Sequence, residues 1–164
     1  MSLTERVSYF RAGTFHDIPY LDAMKRGWYS GCLERAGEPV FWPTPWADTS
    51  MVRLLWIPAF GLPAVSRITK RGSSVTLDAA DEPRGRTHRP LAESDWDHVL
   101  RLIADASFWD LPTRQTREGY DGEMWLLEAV VGERHHLVDR WCPETGAVRD
   151  IGLALARLAG WPSP

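Results

Sequence analysis

The sequence lacks the features that would place the protein in a secreted, disulfide-rich or membrane class. It has only two cysteines, Cys32 and Cys142, in 164 residues, which favours two reduced thiols over a disulfide. It has no run of about 18 apolar residues, so we expect no membrane-spanning helix. Residues 1–30 also lack the apolar core of a secretion signal. Together these absences predict a cytoplasmic protein.

The sequence has no strong excess of charge of either sign. It has 19 Lys and Arg against 22 Asp and Glu, a formal net charge of −3. A dedicated surface for nucleic acid or anionic lipid needs a basic excess, so we expect neither as a partner. The turn-rich stretch 80–91 contains a small basic cluster, which we interpret as a solvated loop in preference to an anion site.

The familiar signatures of catalysis and cofactor binding are also missing. The chain has no phosphate-binding glycine loop, no nucleophile elbow and no paired-cysteine metal pattern. His135 and His136 are adjacent, but neighbouring side chains on a strand point to opposite faces and do not easily bind one ion. We therefore predict no metal and no cofactor.

Tryptophan, by contrast, is abundant, with nine in the chain. The proline-rich stretch 39–50 contains Phe41, Trp42 and Trp46 in a segment without periodicity. One interpretation is that these side chains pack in the core. The other is that Trp42 and Trp46 form an exposed site for a protein partner, since proline restrains the backbone and lowers the entropy lost on binding.

Hydrophobic periodicity predicts three helices and five strands in one domain spanning residues 1–164. The helices are predicted at 19–36, 93–107 and 145–159, and the strands at 52–57, 64–70, 74–79, 124–131 and 134–141. Residues 1–17 show no clean period, which predicts a loosely held arm or a short helix. Because the strands occur in hairpin-linked runs, we expect an α+β fold with an antiparallel sheet of about five strands and helices packed mainly on one face.

The strongest fold signal is the hairpin 124–141. The dipeptide 132–133, Gly-Glu, suits a two-residue turn whose first residue has positive φ. The register that follows places Trp125 opposite Arg140, which suggests a cation–π pair. A slip of one residue would exchange the two faces of the hairpin, so this register is a sharp prediction.

The same register brings Glu128, His135 and Asp139 to one face of the hairpin. A carboxylate can orient an imidazole for general-base catalysis, so the three residues are candidate catalytic residues. The alternative is a hydrogen-bonded cluster that stabilises the edge of the core or a helix end. The sequence places no nucleophile beside them, which favours the structural alternative.

The hairpin also carries a spaced motif of glycine, tryptophan and charged residues. Its residues are Asp121-Gly122-x-x-Trp125-x-Leu127-Glu128 and then Asp139-Arg140-Trp141-x-Pro143, preceded by Phe108-Trp109-x-Leu111-Pro112. The pattern resembles a motif of a family of small uncharacterised bacterial proteins and extends over residues 28–160. The resemblance implies a shared fold and a bacterial origin, and it implies no activity. Cys142 departs from the small polar residue expected there.

Two classes of function remain compatible with these observations. The first is a non-enzymatic protein-binding protein, one bacterial form of which is an immunity protein that neutralises a cognate toxin. The second is a small hydrolase or ligand-binding enzyme that uses Glu128, His135 and Asp139. The lack of a catalytic signature and the many aromatic residues favour the first.

Overall fold

The computed structural model describes residues 8–42, 47–82, 84–115, 119 and 121–162. The helices are α1 (Pro19–Arg35), α2 (Glu93–Asp105) and α3 (Ala147–Leu158), and a short 3-10 helix spans Phe108–Asp110. The strands are β1 (Thr49–Ile57), β2 (Ala64–Arg71), β3 (Ser74–Asp81), β4 (Gly85–Pro90), β5 (Met124–Val131) and β6 (Arg134–Trp141). The order of elements confirms the α+β class.

The strands form one antiparallel sheet in the order β4-β3-β2-β1-β5-β6. The sheet has six strands, one more than predicted, because β4 lies within the stretch 80–91 that the sequence assigned to a loop. Every residue of β4 is exposed, so it has no alternation of apolar and polar residues to reveal it. Its pairing with β3 defines it as a strand.

The register of the β5–β6 hairpin is as predicted. Trp125 pairs with Arg140, and Gly132 begins the turn with a φ of 61°. The predicted cation–π contact between the two residues is not formed, and each side chain has a different partner. The Arg140 guanidinium donates to the carbonyl of Pro112 at 2.9 Å, while Arg149 lies over the Trp125 ring at 5.5 Å.

Helices α2 and α3 cover one face of the sheet and form the larger core with it. The predicted apolar stripe of α2 is buried there through Trp96, Val99 and Ile103. Trp125 is fully buried in this core, and its ring lies directly against Gly152 of α3. A Cβ atom at Gly152 would come within 2.1 Å of Trp125 Cζ3, so this helix position requires glycine.

Helix α1 and the segment before it cover the opposite face. The second core includes Phe10 and Phe15 from that segment, Tyr29 and Leu33 from α1, and Leu55 from β1. Two helices therefore lie on one face and one on the other. Residues 1–7 of the predicted arm lie outside the described residues.

Asp22 fastens the N-terminal segment to α1. It accepts the backbone N–H groups of Gly13 at 2.9 Å and Phe15 at 2.8 Å, and it pairs with Arg26 at 2.6 Å. Burial alone would raise the pKa of Asp22, but the two N–H donors and Arg26 outweigh it and lower the pKa to about 2. Asp22 is therefore ionised in the folded protein at neutral pH.

Replacing Asp22 by Asn is expected to lower the free energy of unfolding by about 1–2 kcal/mol at pH 7, because a charge-assisted set of hydrogen bonds is weakened. The folded pKa lies below the unfolded value, so this contribution is present above about pH 4 and is lost as the pH falls towards 2. Urea denaturation at pH 7 and at pH 2.5 measures it. An equal difference between the two proteins at both pH values would contradict the assignment.

The described part of the chain also bears on the cysteines and on membrane-spanning helices. Cys32 and Cys142 are both free thiols. No helix among the described residues combines the length and apolar character needed to cross a membrane.

Candidate functional site

A row of charged and ionisable side chains crosses the sheet on the face that carries α1. The register aligns residues from five neighbouring strands, and a sixth joins the row by a hydrogen bond. The row consists of His135 on β6, Glu128 on β5, Arg53 on β1, Arg67 on β2, Asp78 on β3 and His88 on β4. The buried centre of the row requires internal pairing of its charges, whereas its β4 end at His88 is exposed.

Glu38, in the segment between α1 and β1, supplies the pairing at the centre of the row. Arg53 and Arg67 are direct cross-strand neighbours, and like charges in such positions repel. Glu38 Oε2 accepts from Arg67 Nε at 2.9 Å and from Arg53 Nη1 at 3.3 Å. Arg53 also donates to Glu128 and to the carbonyl of Pro39. With Glu38 between the two arginines, negative and positive side chains alternate along the row.

Glu128 is ionised and orients His135. Burial alone would raise the pKa of Glu128, but the Arg53 guanidinium and the His135 imidazole outweigh burial and hold the pKa below its usual value. His135 Nε2 lies 2.8 Å from Glu128 Oε1. Because an ionised carboxylate only accepts hydrogen bonds, Nε2 is the donor, and the neutral ring keeps its lone pair on Nδ1.

Asp139, the third predicted residue, belongs to a different cluster on the same face. It accepts from the Tyr29 hydroxyl at 2.9 Å and pairs with Lys25 Nζ at 2.6 Å, both on α1. The structure therefore joins Glu128 to His135 and uses Asp139 to fasten α1 to the sheet. Asp139 is therefore part of a hydrogen-bonded cluster at a helix, which is the alternative to catalysis given in the sequence analysis.

A cleft of about 1090 Å³ runs along β6, and His135 is the member of the predicted trio that lines it. Its walls come from residues 9–17 and 109–115. Trp42 is half-buried at this cleft, with its ring stacked on His135 at a centroid distance of 5.7 Å and under the Arg11 guanidinium at 4.0 Å. Trp46, the other predicted binding residue, lies outside the described residues.

The motif residues around the hairpin have packing roles. A Cβ atom at Gly122 would lie 2.4 Å from Trp141 Nε1, so Gly122, which follows Asp121, lets the indole approach the backbone. Trp125 fills the larger core, and Arg140 ties β6 to the loop at Pro112. These contacts account for the motif without assigning chemistry to it.

The group of the cluster that lines the cleft and can take part in proton transfer is the His135 imidazole. Among the described residues, no serine, threonine or cysteine side chain is hydrogen-bonded to His135. His136 faces the other way and bonds the carbonyl of Leu111 at 2.8 Å, and burial lowers its pKa. Within the same part of the chain, no three His, Cys, Asp or Glu side chains are arranged to hold a metal ion.

The outer face of α1 is the feature that sequence reasoning missed. Leu21, Met24, Trp28 and Leu33 form a pattern typical of a buried helix face, but only Leu33 is buried and the other three are exposed. Asp22 and Lys25 turn inward instead, to the N-terminal segment and to Asp139, beside the buried side chains of Tyr29, Cys32 and Leu33. One feature of the sequence did indicate this orientation. Asp22, Lys25 and Arg26 also follow helical spacing and form a second stripe on the helix.

The outer face of α1 has a ridge of large side chains beside a groove of small ones. Tyr20, Met24 and Trp28 follow one another at four-residue spacing and are 70%, 55% and 48% exposed. Ala23 and Gly27 follow the same spacing one position earlier, and a Cβ atom at Gly27 would meet nothing within 4 Å. Parallel ridges and grooves at this spacing are the elements with which helices pack on helices.

The comparisons with family models and with curated proteins assign no function to the chain. No protein-family model matches the chain, and no curated protein does either. The resemblance of the hairpin motif to small bacterial proteins therefore stays a prediction.

Proposed function

We propose that the chain is a protein-binding protein and that it docks its partner on the outer face of α1. The observation that carries the proposal is the exposed row of large apolar side chains on the outer face of this helix. Tyr20, Met24 and Trp28 face solvent while Asp22 is 2% exposed. Contiguous apolar surface of this kind on a folded domain marks an interaction site, since its burial against a partner is favourable.

The shape of the outer face favours a helix as the docking element of the partner. A ridge formed by Tyr20, Met24 and Trp28 fits the groove of an opposing helix, and the groove at Ala23 and Gly27 accepts its ridge. The small residues allow the two backbones to approach closely. Trp28 is the expected centre of the interface, because tryptophan is enriched among residues that dominate binding energy.

Replacing Trp28 by Ala is expected to weaken partner binding about 30-fold, the equivalent of a hot-spot loss of about 2 kcal/mol. The fold should be unchanged, since Trp28 is 48% exposed. The partner is first captured from the cytosolic fraction of the source cell, because a cytoplasmic location is part of the proposal. It is then purified and titrated by calorimetry against wild type and Trp28→Ala.

The matched control is Phe60→Ala, which removes an aromatic side chain that is 91% exposed on the loop between β1 and β2. Its affinity should equal that of wild type. If Trp28→Ala and Met24→Glu both bind as tightly as wild type, the docking face is wrong. A wild-type dimer in sedimentation that Met24→Glu dissociates would identify the partner as a second copy and refute a heterologous one.

A toxin is the specific partner that the immunity-protein hypothesis adds to this proposal. The expectation is that wild type suppresses the activity of the captured protein in a purified assay, whereas Trp28→Ala suppresses it only at higher concentration. A partner whose activity is unchanged by saturating wild type would remove the immunity role and leave the binding proposal in place.

A further inference from the structure

Part of the outer edge of β6 has no hydrogen-bond partner among the described residues. Asp139 N–H points outward to the carbonyl of Thr113 at 2.7 Å, whereas Cys142 N–H points inward to the carbonyl of Glu123. Backbone groups of an antiparallel strand alternate between its two sides, so His135 and Leu137 point outward like Asp139. No described residue bonds the backbone N–H or C=O of either one.

These unpaired backbone groups lie along the cleft beside β6. The cleft holds about 1090 Å³, and both His135 and Leu137 line it. An edge strand with free donors and acceptors is a template for another strand, and proteins usually block such edges. Here the loop 111–115 blocks the edge only as far as Asp139, and the cleft leaves room beside the rest.

Two arginines flank this part of the edge, where Asp17 and Glu133 also line the cleft. Arg11 lies over Trp42 at 4.0 Å, and Arg134 lies over the Trp109 ring at 4.4 Å. Neither forms an ion pair within the described residues. A guanidinium over an indole ring can still donate from its N–H groups, whose geometry matches a carboxylate.

The two arginines belong to opposite faces of the sheet. Arg11 stacks on Trp42 and through it on His135, on the face that carries α1. Arg134 is the neighbour of His135 along β6, so its side chain points to the other face. A strand added beside β6 would present successive side chains to the two faces in turn, and therefore one acidic residue to each arginine.

We propose that the cleft binds an extended acidic segment of another protein, which adds to the sheet as a strand beside β6. Its backbone bonds the N–H and C=O groups of His135 and Leu137, and two consecutive carboxylates pair with Arg11 and Arg134. This site is separate from the outer face of α1, and neither proposal requires the other. The cleft is lined by Arg11, Arg114 and Arg134 and by Asp17 and Glu133. Because Arg114 pairs with Asp17, the two arginines without an ion pair give the preference for an acidic segment.

The probe is a synthetic hexapeptide, threonine-valine-glutamate-glutamate-valine-threonine, acetylated and amidated at its ends. It is titrated into the isotope-labelled full chain, and amide proton exchange is followed by NMR. We expect saturable binding and a slowing of at least about tenfold in the exchange of the His135 and Leu137 amides, because they become hydrogen-bonded. The same peptide with two lysines in place of the glutamates, and free glutamate, should give neither effect.

Arg11→Glu and Arg134→Glu should each weaken peptide binding at least about tenfold, since each removes a charge-assisted pair and adds repulsion. Arg101→Glu, on the exposed side of α2, is the matched control and should bind like wild type. Circular dichroism confirms that each variant is folded. Unchanged affinity of both edge variants would refute the role of the arginines.

Four other results would overturn the proposal. The first is no saturable binding of the acidic peptide at millimolar concentration. The second is binding that leaves the exchange of the His135 and Leu137 amides unchanged. The third is equal binding of free glutamate, which would identify a site for a small anion. The fourth is a dimer of the chain in which the β6 edges protect each other.

Discussion

Replacing Arg53 by Met is expected to lower the free energy of unfolding by about 3–5 kcal/mol, because it leaves a buried carboxylate without its counterion. Arg53 and Glu128 are each 1% exposed and are bonded to each other. The substitution also leaves Glu38 with one arginine partner, Arg67. Urea denaturation at pH 7 measures the change.

The double variant Arg53→Met with Glu128→Leu should be more stable than Arg53→Met alone, since no unpaired charge remains in the interior. Lys70→Met is the matched control. Lys70 pairs with Glu93 at the surface, where solvent screens the interaction, so its loss should change stability little. An Arg53→Met protein as stable as Lys70→Met would mean that the charged row does not support the fold.

Replacing Trp125 by Ala is expected to lower the free energy of unfolding by about 3–5 kcal/mol, because it empties the centre of the larger core. Gly152→Ala should lower it by about 1–3 kcal/mol, since its methyl group would overlap the Trp125 ring. The double variant should be more stable than the sum of the two losses predicts, because the cavity left by the indole accepts the methyl group.

Gly27→Ala provides the matched control for Gly152→Ala. Both glycines are inside helices, but a Cβ atom at Gly27 would meet nothing within 4 Å. This substitution should raise the free energy of unfolding by about 0.5–1 kcal/mol through helix propensity. A Gly152→Ala protein that gained stability in the same way would contradict the close packing of α3 on Trp125.

The parts of the fold that were predictable are those that local sequence determines. The hairpin register follows from the Gly132 turn and from side chains that alternate along two adjacent strands. β4 was not predictable, because all its side chains are exposed and its pairing with β3 carries no apolar signal. The orientation of α1 was missed because the inward partners lie outside the helix. Asp22 bonds the backbone of Gly13 and Phe15, in a segment without periodicity, and Lys25 pairs with Asp139, which is distant in sequence.

The candidate site also combines contacts that local sequence predicts with contacts that it does not. Contact between Glu128 and His135 followed from the hairpin alone, since the two residues are close in the chain. The predicted strand 52–57 contains Arg53 but gave no partner for it, because the carboxylate of Glu128 is 75 residues away. Glu38 comes from an irregular segment whose position no periodicity defines. The charged row therefore forms only when all six strands and the α1–β1 connection are assembled.

The most direct test of docking on the outer face of α1 is photo-crosslinking in the source cell. Benzoylphenylalanine is placed at Met24 in one protein and at Arg101 in another, both exposed helix positions. The account predicts a covalent adduct with another protein from position 24, greatly reduced when Trp28→Ala is added, and no such adduct from position 101. It would be contradicted if neither position gave an adduct, if both gave the same one, or if position 24 crosslinked only to a second copy of the chain.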